Sequence, residues 1–131
     1  MNHILVVEDD AVLNEFLSKV LTMEGYKVSV AFDGEEALEK MRQDKPSVII
    51  LDLMLPKMNG FDVYSKIISD DKLKDITVIV NSALDRGSLH QKHRDLLSGV
   101  RAYFTKPFDL KKLLFEVKDA VDNGGQKVIV I

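Results

Sequence analysis

Hydrophobic and polar positions along this chain follow two alternating patterns. Largely apolar runs at His3 to Val7, Val48 to Leu51, Ile76 to Val80 and Ala102 to Thr105 have the length of strands. The central run, Val48-Ile49-Ile50-Leu51, has no polar relief and predicts a strand buried on both faces, the parallel-sheet type. Tyr26 to Ala31 alternates with period two, which suits an edge strand with one wetter face. Between the strands the apolar residues recur at helical spacing. Val12, Leu13, Phe16, Leu17, Val20 and Leu21 make one face, with Asp10 as N-cap and Gly25 as the stop. Ala37, Leu38 and Met41 make a second behind the capping pair Asp33 and Glu36, and Pro46 ends that helix. Phe61, Val63, Tyr64, Ile67 and Ile68 make a third. Leu89, His93, Leu96, Leu97 and Val100 space a weaker fourth, with Gly87 near its start. Asp109 caps the last, whose face is Leu110, Leu113, Leu114, Val117 and Val121, and Gly124-Gly125 ends it. Five strands alternating with five helices predict a parallel sheet covered by helices on both faces, because each crossover is right-handed and each sheet face must be buried.

The strand tips hold the informative polar residues. Glu8 and Asp9 follow the first strand, Asp52 the third, Ser82 the fourth and Lys106 the fifth. In such a sheet all lie at the carboxyl edge, where loops converge over one crevice. Pro56 and Asn59-Gly60 place a tight loop directly after Asp52. Three gathered carboxylates repel one another, and a hard divalent cation such as Mg²⁺ relieves them. With the metal, Lys106 and Ser82 supply donors for the oxygens of a phosphoryl group moving onto Asp52. A carboxylate is already a nucleophile at neutral pH and needs no base.

Composition narrows the classes. The 131 residues fit one domain, and 46% hydrophobic with 30% charged residues is an ordinary globular mix. A net charge of −3 gives no reason to expect direct nucleic-acid binding, and the absence of cysteine excludes disulfides and thiolate chemistry. No signal-peptide or membrane-span pattern is found, so a cytoplasmic protein is expected.

These residues together resemble the receiver domain of two-component response regulators, the chemotaxis-regulator type. The resemblance rests on Leu5-Val6-Val7-Glu8-Asp9-Asp10, on Asp52-Leu53-Met54-Leu55-Pro56 with Met58 and Gly60, on Ser82-Ala83, and on Tyr103-Phe104-Thr105-Lys106-Pro107-Phe108. It implies a flavodoxin-like α/β fold, doubly wound, with strand order 2-1-3-4-5. It also implies that Asp52 is phosphorylated by a sensor histidine kinase or phosphotransfer protein, that Asp9, Asp52 and the Met54 carbonyl bind Mg²⁺, and that Glu8 contributes through water. Ser82 and Lys106 would grip the phosphoryl group, Tyr103 would act with Ser82 as the switch, and Lys106-Pro107 would be a cis peptide. Residues 1–123 are then the receiver and 124–131 a tail or the start of a linker. The output is a downstream protein or an output domain outside this chain, and the domain is a switch, not a turnover enzyme.

Two departures from the family pattern stand out. The segment between Ser82 and Lys106 is slightly longer than usual, which predicts a reshaped fourth helix. Val100-Arg101-Ala102 replaces the acidic pair that precedes Tyr103 in the transcription-factor subgroup, which leaves that subgroup's dimer, and the oligomeric state, open. The alternative reading, a receiver-like binding module that is never phosphorylated, predicts a lost acid or lysine; none is lost. An FMN carrier needs a phosphate-cradling loop where Glu8, Asp9 and Asp10 stand, and a phosphatase needs an acid where Met54 stands. His90 and His93, and the row Lys111, Lys112, Glu116, Lys118 and Asp119, are expected on solvated helix faces. The segment Gln126 to Ile131 has the pattern of a strand without an obvious partner, because a parallel place beyond strand five needs a left-handed crossover.

Overall fold

The computed structural model describes residues 2–123; the predicted tail lies outside them. Strands β1 (His3–Val7), β2 (Lys27–Ala31), β3 (Val48–Leu51), β4 (Thr77–Ser82) and β5 (Ala102–Thr105) form one parallel sheet in the order β2-β1-β3-β4-β5. Helices α1 (Ala11–Met23), α2 (Gly34–Gln43), α3 (Gly60–Ser69), α4 (Gln91–Leu96) and α5 (Leu110–Asp122) connect and follow them. The expected strand order is therefore the observed one.

Alternation along the strands divides the core in two. Leu5, Val7, Ile49, Leu51, Val78 and Val80 face Ala37, Met41, Val63 and Ile67 of α2 and α3. Ile4, Val6, Val48, Ile50 and Ile79 face Leu17, Leu21, Leu113 and Val117 of α1 and α5. Both sheet faces are covered, which is why β1, β3 and the middle of β4, Val78 to Val80, are almost wholly apolar. The expected caps form: Asp10 Oδ1 accepts from Val12 and Leu13, Asp33 Oδ1 from Glu36, and Asp109 Oδ1 from Lys112. Gly25 ends α1 at φ 96°, in the left-handed region open to glycine.

Five local expectations are corrected. In α1, Val12 is 80% and Phe16 46% exposed, whereas Asn14 is buried. The Asn14 amide donates to the carbonyls of Glu8 (2.9 Å) and Ala31 (3.3 Å), which turns residue 14 inward and puts positions two away on the far side of the helix. The loop after Asp52 turns at Lys57, whose φ is 66°, while Asn59 is the N-cap of α3 and Gly60 its first residue. The fourth helix is only Gln91–Leu96, set between single 3₁₀ turns at Arg86–Ser88 and Leu97–Gly99. Glu116 and Asp119 are not a free solvated face: both pair with Arg101, a buried residue next to β5, so α5 is tied by charge to that strand. His93 is likewise half-buried and stacks on Phe61, with ring centroids 3.9 Å apart.

Gly60 shows how closely the loop is drawn in. A Cβ there would overlap the Asp52 carbonyl and lie 2.6 Å from Leu53 Cα, and the Gly60 N–H donates to Leu53 O at 2.9 Å. Gly60→Ala is expected to cost about 1–3 kcal/mol, because backbone atoms cannot step aside as a side chain would. Urea denaturation checks this, and a wild-type midpoint would contradict it.

Candidate functional site

The carboxyl edge of the sheet is built strand by strand. Beyond β1, Glu8 N–H still donates to Ala31 O at 3.0 Å, and beyond β3, Asp52 N–H donates to Val7 O at 3.0 Å. These bonds carry Glu8 and Asp52 one step past the strands in register. Both are nearly inaccessible, at 2% and 4% exposure. Lys106 reaches across from the end of β5, and its Nζ donates to Glu8 Oε1 at 2.5 Å and Asp52 Oδ2 at 3.0 Å. The other Asp52 oxygen, Oδ1, accepts from Met54 N–H at 3.1 Å. The Lys106-Pro107 peptide is cis, as expected, and the Lys106 N–H donates to Ser82 O at 2.8 Å, which fixes the start of the lysine relative to β4.

Glu8, the exposed Asp9 and Asp52 each bring a carboxylate oxygen within 4.8 Å of the others. Three carboxylates against one ammonium leave an excess of negative charge in a largely dry place. That set of hard oxygen donors fits a small divalent cation. The same crowding shows in Glu8: burial above all, and the Asp52 charge, push its carboxyl up to about 7 against the opposing pull of Lys106 and the Asp10 N–H. For Lys106 burial pulls downward, but the bonds to Glu8 and Asp52 outweigh it and the ammonium is held above its ordinary value.

A stability prediction follows from Glu8. Its folded value near 7 lies above the ordinary 4.5, so between these the fold binds a proton that the unfolded chain releases. The contribution is complete below 4.5 and is lost as pH rises through 7. Without divalent cations, stability is expected to fall by about 1–3 kcal/mol between roughly pH 5 and 8, and Glu8→Gln to flatten the slope. Equal slopes in chemical denaturation of the two proteins would contradict this.

Ser82 and Tyr103 meet through one residue, Leu84. Ser82 is fully buried, and its Oγ accepts from the Leu84 N–H at 3.3 Å; the Tyr103 hydroxyl donates to Leu84 O at 2.6 Å. Displacement of the Ser82 hydroxyl would therefore release the N–H of the residue whose carbonyl holds Tyr103. Of the residues expected from the sequence, Glu8, Asp9, Asp52 and Lys106 are brought together, and Ser82 and Tyr103 are linked through the Leu84 backbone. Sequence reasoning missed the direct Glu8–Lys106 bond and the role of Asn14, which anchors the Glu8 backbone. The only hint of the latter was a polar residue interrupting the apolar positions of α1.

The family model for the response regulator receiver domain matches residues 4–118. The chain belongs to that family. Among similar curated proteins, the DNA-binding dual master transcriptional regulator RpaA of Synechocystis is 38% identical over 118 residues, covering 90% of this chain and 48% of that protein. The response regulator MprA of Mycobacterium ulcerans is 36% identical over 115 residues, covering 88% of this chain and 48% of that protein. This chain thus spans about half the length of the curated relatives it matches. Among solved structures, the receiver domain of the Francisella response regulator 1452 superposes with a TM-score of 0.80 at 32% identity, covering 94% of this chain and 98% of that one. The response regulator TrrA of Thermotoga maritima, solved in complex with Mg(2+)-BeF, superposes with a TM-score of 0.76 at 31% identity, covering 91% and 98%. The receiver fold is thus shared at the level of both sequence and structure. Among the described residues, no helix of this receiver is long and apolar enough to cross a membrane.

Proposed function

We propose that this receiver is a phosphoacceptor switch in which Asp52 takes a phosphoryl group from a phosphohistidine on a sensor histidine kinase or phosphotransfer protein. The observation that carries the reading is Lys106 bonded to both Glu8 and Asp52 at the sheet edge. An Asp52 oxygen attacks the phosphorus in line, the P–N bond breaks, and its electron pair stays on the donor's imidazole nitrogen. Lys106 moves from the carboxylates to the phosphoryl oxygens, and the Ser82 hydroxyl leaves the Leu84 N–H to donate to one of them. Glu8, through water, with Asp9, Asp52 and the Met54 carbonyl, would hold Mg²⁺, which supplies positive charge against the phosphoryl oxygens when bound.

The Ser82–Leu84–Tyr103 relay then repositions Tyr103, and the face formed by α4, β5 and α5 changes shape for a downstream protein or an output domain outside this chain. Each molecule accepts one phosphoryl group, so the chain is a switch and not a turnover enzyme. Residues 1–123 form the receiver unit in this reading, and 124–131 a tail or the start of a linker. A cytoplasmic location accords with a kinase partner of this kind. The test is transfer from a radiolabelled histidine kinase. Label passing to wild type supports the reading, whereas a chain labelled by no phosphohistidine donor argues against it.

Asp9 is the exposed member of the carboxylate set and has the fewest structural duties there. Asp9→Ala is expected to weaken Mg²⁺ binding at least about tenfold while leaving the unfolding midpoint near that of wild type. Calorimetric titration checks this, and an unchanged affinity would remove Asp9 from the site.

A further inference from the structure

One buried polar residue at this edge has no part in the site so far. Asn81, in β4, is 2% exposed, and neither Oδ1 nor Nδ2 of its carboxamide has a hydrogen-bond partner among the described residues. An amide taken from water without new partners is costly, so such a group marks a place that another polar group reaches in some state of the protein.

Register locates it. Val7 pairs with Leu51, and Leu51 with Val80, so the next row outward reads Glu8, Asp52, Asn81 across β1, β3 and β4. Side chains two apart on a strand share a face. Val6, Ile50 and Ile79 all lie in the core beneath α1 and α5, which puts Glu8, Asp52 and Asn81 on that same side. Lys106 starts on the opposite flank of β4, because it follows β5, where Phe104 pairs with Asn81. To reach Asp52 and Glu8 its side chain must cross the end of β4. The last residue of β4 on that face is Asn81.

An ammonium group carries three N–H donors, and Lys106 spends one on Glu8 and one on Asp52. We propose that Asn81 is a positioning residue for phosphoryl acceptance: its carboxamide oxygen accepts an N–H of Lys106 as the lysine passes from the carboxylates to the phosphoryl oxygens. The inference rests on the reading of Asp52 as phosphoacceptor. Held from β4, the ammonium stays over Asp52 and does not follow Glu8 towards β1. The carboxamide is neutral, so it fixes the lysine without adding a negative charge that would repel the incoming phosphoryl group. An apolar residue of the same size fills the space and does nothing for Lys106.

The test uses the full chain with Mg²⁺ and acetyl phosphate, and follows the initial rate of phosphorylation by intact-mass spectrometry. Asn81→Leu is expected to lower the rate about tenfold through misplacement of the lysine. Its unfolding midpoint should equal or exceed that of wild type, because an unpartnered buried amide is gone. Asn81→Thr, which keeps an oxygen acceptor, should recover most of the rate; Asn81→Val serves as the apolar variant if leucine prevents folding. In a Lys106→Ala background the same apolar substitution should have no further effect, since the two residues act through one bond. A wild-type rate in a folded apolar variant overturns the inference, and so does a loss that persists undiminished without Lys106. Absence of any adduct on wild type would overturn the proposed function along with it, whereas an adduct on wild type with an unaffected Asn81 variant overturns this inference alone.

Discussion

Asp52→Asn is expected to give a folded protein that accepts no phosphoryl group from either acetyl phosphate or a kinase. The substitution keeps the size of the side chain and an oxygen for the Met54 N–H, which is bonded to Asp52 Oδ1 at 3.1 Å in the native chain. Lys106 keeps Glu8 as a partner. What disappears is the charged oxygen that attacks phosphorus, since an amide is not a nucleophile under these conditions. The effect on transfer is therefore expected to be complete, while the unfolding midpoint stays close to that of wild type. A phosphorylated Asp52→Asn protein would place the acceptor elsewhere.

The second large effect concerns how long the phosphoryl group stays. Hydrolysis requires a water in line with phosphorus, opposite the Asp52 oxygen, and in the proposed reading the residues two past Asp52 and two past Ser82 would flank that approach. They are Met54, 54% exposed, and the half-buried Leu84. Neither side chain can hydrogen-bond a water, so the rate gained by positioning a nucleophile would be withheld. Replacing Met54 with Asn and Leu84 with Glu is expected to speed phosphate loss at least about tenfold. The Leu84 backbone groups that hold Ser82 and Tyr103 remain in the double variant, so the relay itself is untouched. Decay followed in the presence of Mg²⁺ at an unchanged or slower rate would show that Lys106, Ser82 and the metal set the lifetime alone.

Much of this receiver was legible in its sequence because its strands are buried on both sides. Continuous apolar runs located β1, β3 and β4, and their abrupt polar endings located Glu8, Asp52 and Ser82 before any geometry was known. Caps at Asp10, Asp33 and Asp109 were legible for the same reason, since a short acceptor before an apolar helical face has few other uses. The rotation of α1 was not legible. It is set by Asn14 bonding the carbonyl of Glu8, just past β1, and that of Ala31 in β2, and helical periodicity carries no information about such long-range anchoring. Arg101 was hidden likewise: its partners Glu116 and Asp119 lie on another element, and on their own helix they resemble solvated charges. The fourth helix was overestimated because Leu89, Leu96, Leu97 and Val100 pack against one core although only Gln91–Leu96 is α-helical. Packing, not backbone regularity, had set their spacing.

The assignment at stake is Asp52, held by Lys106 within an acidic metal-fitting cluster, as the phosphoacceptor. It is tested most directly by incubating the wild-type chain with acetyl phosphate and Mg²⁺, measuring the intact mass, and mapping the adduct by peptide fragmentation. One phosphoryl group per chain is expected, located on Asp52, and none when Mg²⁺ is removed with a chelator. No adduct under these conditions, or an adduct mapped to another residue, would contradict it.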